Sequence, residues 1–113
     1  LIACTGGTGS GDDPATTVEK YLQAKVEGDK EIVRALLCSE MEQFLEREAQ
    51  TFASVSEVAI EGMTCNHTGD GRVACEGKIT ALYGTEETEF PLVSYRVVQE
   101  DGEWKWCGEA AAP

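Results

Sequence analysis

Near residue 54 the spacing of apolar side chains in this 113-residue chain changes from a helical period to a strand period. That switch limits the architecture more than any other feature. Before it, Val18, Tyr21, Leu22 and Val26 recur at helical spacing, with Glu19, Lys20, Gln23 and Glu27 on the opposite face. Asp13-Pro14 reads as the start of this helix, an N-cap acceptor followed by a proline at the first helical position. Gly28 ends it, and Asp29 caps a short second helix expected to bury Ile32, Val33, Leu36 and Leu37. Ser39 to Glu42 matches a capping box and opens a third helix through Met41, Phe44, Leu45, Glu48, Ala49 and Phe52. Glu48 interrupts its apolar stripe.

Beyond Ser54 the period is 2. Val58 and Ile60 alternate with Glu57, Ala59 and Glu61. A turn over His67 to Gly71 leads to Val73, Cys75, Gly77, Ile79, Ala81 and Tyr83 on one face. Gly84 to Glu87 reads as the next turn, and Phe90 to Gln99 as one strand with Val93, Tyr95 and Val97 sharing a face. Asp101-Gly102 is a two-residue hairpin signal that sets Val97 opposite Trp106 and Gln99 opposite Trp104. Helices followed by strands predict an α+β domain: about three N-terminal helices on a curved, four-stranded antiparallel meander. Residues 13–108 form that domain, 1–12 a tether, and 109–113 a frayed tail. About one hundred residues hold a single core.

Net charge is −12, which opposes contact with nucleic acid and with bare anionic lipid. No apolar run reaches the roughly 20 residues that span a bilayer. Leu1-Ile-Ala-Cys4 resembles the lipobox of bacterial lipoproteins, and a Gly-rich stretch from Gly6 to Gly11 follows it. That resemblance implies lipidation at Cys4, export, and attachment by lipid alone to the outer face of a bacterial membrane or in the periplasm. Setting Cys4 aside leaves Cys38, Cys65, Cys75 and Cys107, an even number that suits two disulfides in an oxidising compartment. Of the three connectivities, Cys65–Cys75 with Cys38–Cys107 is preferred. The first closes a hairpin loop worth about 3 kcal/mol of loop entropy, and the second a long loop worth about 4.4 kcal/mol.

Other candidate chemistry is sparse. The Gly-rich stretch lacks the Lys-Ser/Thr of a phosphate loop and reads as a tether. His67 is the sole imidazole, in a turn, with no Cys/His cluster around it, so neither a metal site nor a cofactor is expected. Asn66-His-Thr68 has the N-glycosylation pattern. Asp12-Asp13 and Asp70 fall short of a calcium loop's ligand count. Glu40, Glu42, Glu46 and Glu48 on the third helix, and Glu86, Glu87 and Glu89 near a turn, read as solvated faces.

The order of elements resembles the cystatin-like, nuclear transport factor 2-like superfamily, and within it small exported bacterial lipoproteins. The residues carrying the likeness are the helix Ala15–Glu27 with Tyr21-Leu22, the Glu27-Gly-Asp29 break, the short helix to Cys38, and Glu103 to Cys107. The resemblance implies a cone-like domain whose wide end is lined by Tyr21, Tyr83, Tyr95, Arg96, Trp104 and Trp106. Enzymes of the superfamily use an Asp base, often with Tyr or His, inside the cone. Here Asp29, Asp70 and Asp101 fall at caps or turns, so the expectation is a non-catalytic binding protein for a small apolar or amphipathic ligand. The alternative is a protein-interaction module whose acidic helical face, with Glu42 and Glu46, docks a basic envelope protein. An isomerase-like enzyme would need a buried acid, which the pattern does not supply. Relatives often pair through the sheet's exposed face, so a homodimer fits the same resemblance.

Overall fold

The computed structural model describes residues 13–110; Cys4, the 1–12 tether and residues 111–113 lie outside the described residues. Helix α1 spans Pro14–Glu27, with the Asp13 carboxylate accepting from the Thr16 amide at 2.7 Å. That bond holds the Asp13 carboxyl below the usual carboxylate range. Gly28 closes the helix in the left-handed region, φ 71°. Asp29 then caps α2, Lys30–Leu36, through the Ile32 amide. Val33 and Leu37 are buried as expected, Leu36 is half-buried, and Ile32 is exposed because the helix presents only one narrow stripe.

The third helix departs from expectation. Ser39–Phe44 is a 3-10 segment, and only Leu45–Ala49 forms an α-helix, α3. The capping box does not form: the Ser39 amide and hydroxyl instead donate to Glu100 across the domain. This pairing holds the Glu100 carboxyl below its ordinary range.

The sheet has five strands where the pattern predicts four: β1 Glu57–Gly69, β2 Arg72–Tyr83, β3 Glu86–Pro91, β4 Ser94–Glu100 and β5 Glu103–Glu109. His67 lies within β1, and the turn tightens to Asp70-Gly71, both with positive φ as a two-residue primed turn requires. Both β3 and β4 pair with β2, at opposite ends of it. The strand read over Phe90–Gln99 is broken between Pro91 and Ser94, and β3 starts earlier than expected, with Glu86 and Glu87 in the strand and not in the turn. The break shifts the side-chain alternation. Leu92 turns inward while Val93 is 38% exposed, which corrects its assignment to the face of Tyr95 and Val97. Hairpin β4–β5 has the expected register, Val97 opposite Trp106 and Gln99 opposite Trp104. The last strand outruns the expected edge, because Glu109 pairs with Tyr95 and the Ala110 amide donates to Ser94.

Disulfides join Cys38 to Cys107 and Cys65 to Cys75, the preferred pairing. The second links directly opposed residues of β1 and β2.

The sheet bends where these strands meet the break. Gly62 has φ 66° beside an irregularity in the β1–β2 register. Gly77 has φ 113°, and its carbonyl accepts from the Leu92 amide. A Cβ at Gly77 would lie 2.7 Å from the carbonyl oxygens of both Glu61 and Gly62. At Gly84, φ 66°, a Cβ would meet nothing within 4 Å. Gly77→Ala is therefore expected to cost about 2–4 kcal/mol in urea unfolding, and Gly84→Ala only about 1 kcal/mol. Equal losses would show that the close approach at Gly77 is not what sets the bend.

Candidate functional site

Because the sheet bends, α1 and α3 cover only part of its concave face, and a cavity of about 420 Å³ is left at the open end. Its sheet wall is Ile79, Tyr83, Phe90, Leu92, Tyr95 and Trp106. The helical wall is Leu22 and Lys25 from α1, with Arg47, Glu48 and Phe52 from α3 and the turn after it. At the rim Phe52 and Phe90 meet edge to face, centroids 6.0 Å apart.

Part of the helical wall is polar. Glu48 is only 6% exposed, and its Oε1 accepts from the Tyr21 hydroxyl at 2.6 Å and from Lys25 Nζ at 3.0 Å. Arg47 Nη2 stands 3.7 Å from Oε2. Tyr21 and Lys25 are four residues apart on α1, so both reach the same face of the helix. Burial, then the bond to Glu48, pushes the Tyr21 phenol well above its ordinary range. The Tyr21 ring stacks on Trp106 with centroids 4.0 Å apart and planes 10° from parallel. Lys25 Nζ sits 5.7 Å from the same indole centroid. Tyr95 lies 6.2 Å from that indole, and burial raises its phenol too. The Trp106 Nε1–H is buried without a hydrogen-bond partner among the described residues.

Of the six residues expected at the pocket, Tyr83, Tyr95 and Trp106 line it. Tyr21 is fully buried beneath Trp106, as floor rather than lining. Arg96 is elsewhere: it is exposed on β4, 3.6 Å from Glu40, and it donates to the Cys107 carbonyl. Its β4 neighbours Tyr95 and Val97 point inward, so the alternation of the strand sends it out. Trp104 shares the face of Trp106 but lies further along β5, tilted against His67 with centroids 5.8 Å apart.

Lys25, Arg47 and Glu48 are additions that the sequence pattern does not place at the pocket. Glu48 is not on a solvated face, and its one signal is its position on the apolar stripe of the third helix. The other acidic residues fit the surface reading: Glu46 pairs with Lys30, and Glu89 with Lys78. Glu40 joins Cys38 and Cys107 in a grouping of ligand type, but the two sulfurs are bonded to each other and offer no thiolate.

Comparison with solved structures settles the architecture. A variant of a protein called Rd1NTF2_05 superposes with a TM-score of 0.59 at 14% identity, covering 83% of this chain and 92% of its own. An NTF2-like protein of unknown function in nutrient uptake, from Rhodospirillum rubrum, gives 0.55 at 19% identity over 87% of this chain and 96% of its own. The fold is NTF2-like. At these identities the likeness is one of fold alone. No family model matches the chain, and no curated protein matches it.

The buried Tyr21–Glu48–Lys25 network makes Tyr21→Phe informative. Removing a buried donor to a carboxylate should cost about 1.5–3 kcal/mol in urea unfolding, with the helical and sheet content unchanged. The raised phenol has a pH consequence as well. Its stabilising contribution is fully present below the unfolded tyrosine pKa near 10 and is lost as pH rises beyond it. Stability should fall above about pH 10 by up to roughly 1.4 kcal/mol per pH unit from Tyr21, and less steeply in Tyr21→Phe. Parallel alkaline profiles for the two proteins would show that Tyr21 does not carry this loss.

Proposed function

We propose that this protein binds a small amphipathic molecule in the cone cavity without transforming it. The observation that carries this reading is an open cavity with an aromatic and aliphatic sheet wall and charged groups on its helical wall. A volume of about 420 Å³ lies within the range of small-ligand sites. An apolar body fits against Leu92, Phe90 and Trp106, and a polar head reaches Lys25 and Arg47.

The carboxylate present argues for binding over catalysis. A general base needs a free lone pair aimed at a substrate proton. Glu48 Oε1 already accepts from both Tyr21 and Lys25, and the residue is only 6% exposed, which leaves little of the carboxylate open to a substrate. So held, the group orients the cavity wall.

In the same reading the domain works outside the cytoplasm, on a lipid anchor at Cys4. The Leu1-Ile-Ala-Cys4 pattern and two disulfides support an exported setting. Mass spectrometry of the Cys4 peptide from native membranes should show a diacylglycerol adduct; an unmodified thiol there removes the anchor.

Ligand binding is tested with N-phenyl-1-naphthylamine, an uncharged fluorescent probe. Saturable binding at one site per chain is expected, with quenching of tryptophan emission that survives Trp104→Phe and disappears in Trp106→Phe. Of the two tryptophans Trp106 lines the cavity, so quenching carried by Trp104, or no saturable binding, overturns the assignment.

A further inference from the structure

A second hollow, of about 300 Å³, adjoins the cavity. It is bounded by Val26 and Gly28 at the end of α1, by Ala49 of α3, and by Ala53 in the turn that follows. Lys25 and Phe52 border both spaces, so these two side chains form the partition between them. They are held differently. Lys25 Nζ is fixed by Glu48 at 3.0 Å. Phe52 belongs to the turn after α3, and its one aromatic contact among the described residues is the edge-to-face approach to Phe90.

The space behind Phe52 suits an apolar chain. Val26 and Ala49 are buried, and Gly28 and Ala53 are too small to fill the space between the helices. The polar residues of the hollow bond their heads to neighbours on their own helix or turn: Glu27 accepts from Gln23, and Gln50 donates to Glu46. An alkyl chain gains about fourfold in affinity for each methylene removed from water. Methylenes left in solvent add nothing, so the gain stops where the space stops.

From this partition we infer that Phe52 is a specificity-determining residue. Its ring closes the cavity at about 420 Å³, so the protein favours compact or short-chain amphipathic molecules and gives longer alkyl chains no further gain. Truncating the ring joins the two spaces and removes that limit. The inference rests on the cavity-binding reading above and adds the size of the occupant.

The test uses an uncharged series, n-hexanol to n-tetradecanol, each below its solubility limit, displacing N-phenyl-1-naphthylamine from the full chain. With the native protein, affinity is expected to rise about fourfold per methylene among the shorter members and to level off before tetradecanol. In Phe52→Ala the rise should continue to longer chains, with tetradecanol bound at least about tenfold tighter than by the native protein. Phe52→Leu keeps an apolar side chain and should move the plateau the same way, less far. That variant keeps the test available if Phe52→Ala fails to fold. A plateau at an unchanged length in the variants, a native series that never levels off, or a probe that no alkanol displaces overturns the inference. If N-phenyl-1-naphthylamine still binds saturably in those cases, the cavity reading stands without it. If the probe does not bind the native protein, both fall.

Discussion

The bend in β1 and β2 is the constraint on which the rest depends. Antiparallel strands twist smoothly when every residue takes ordinary β geometry. Here Gly62 and Gly77 adopt positive φ where β1 and β2 approach closely, and the β3–β4 break falls on the same line through the Leu92–Gly77 hydrogen bond. Three strands thus kink at one level, as bulges and glycines allow. A flatter sheet would let α1 and α3 cover its face completely, leaving a packed core and no cavity.

Within that geometry one buried carboxylate ties the helices to the sheet. Glu48 from α3 meets Tyr21 and Lys25 from α1, and Tyr21 in turn stacks on Trp106 of β5. Taking a charge out of water costs several kcal/mol, and pairing recovers it only when the geometry satisfies the lone pairs. A short tyrosine bond and a lysine at 3.0 Å on one oxygen provide such pairing. An apolar substitute would not fix the position of α3 relative to the indole so narrowly. The network therefore fixes the helical wall of the cavity against β5, which hydrophobic packing alone would leave loose.

Much of this was legible in the sequence. Asp13-Pro14, Gly28 and Asp29 marked α1 and α2 because caps are local chemistry, and Asp101-Gly102 set the β4–β5 register for the same reason. What escaped depended on partners distant in the chain. Ser39 forsakes its capping box because Glu100, from the far end of β4, takes both its amide and its hydroxyl. The strand from Phe90 breaks because the strand beside it bends at Gly77, one residue before Lys78 pairs with Pro91. Arg96 and Trp104 left the expected pocket for a simpler reason: alternation gives the face a side chain occupies, not its height along the cone. Glu48 was visible as an exception to the apolar stripe, and such an exception signals a buried partner as readily as an error in the helix.

A domain of this size with a hollow in its core has little stability to spare, since such folds total only about 5–15 kcal/mol. Cavity surface forgoes packing, and the orphaned Trp106 donor adds its own cost. The two disulfides act where that loss is felt. Cys65–Cys75 sits beside the bend and holds β1 to β2 at its start. Cys38–Cys107 holds the chain after α2 against β5, next to Trp106, where the Cys38 amide also donates to the Trp106 carbonyl. Constraining the unfolded chain contributes a few kcal/mol per link. The unpaired donor of the buried Trp106 and the covalent bracing beside it thus belong together: the Cys38–Cys107 link offsets part of what that donor costs.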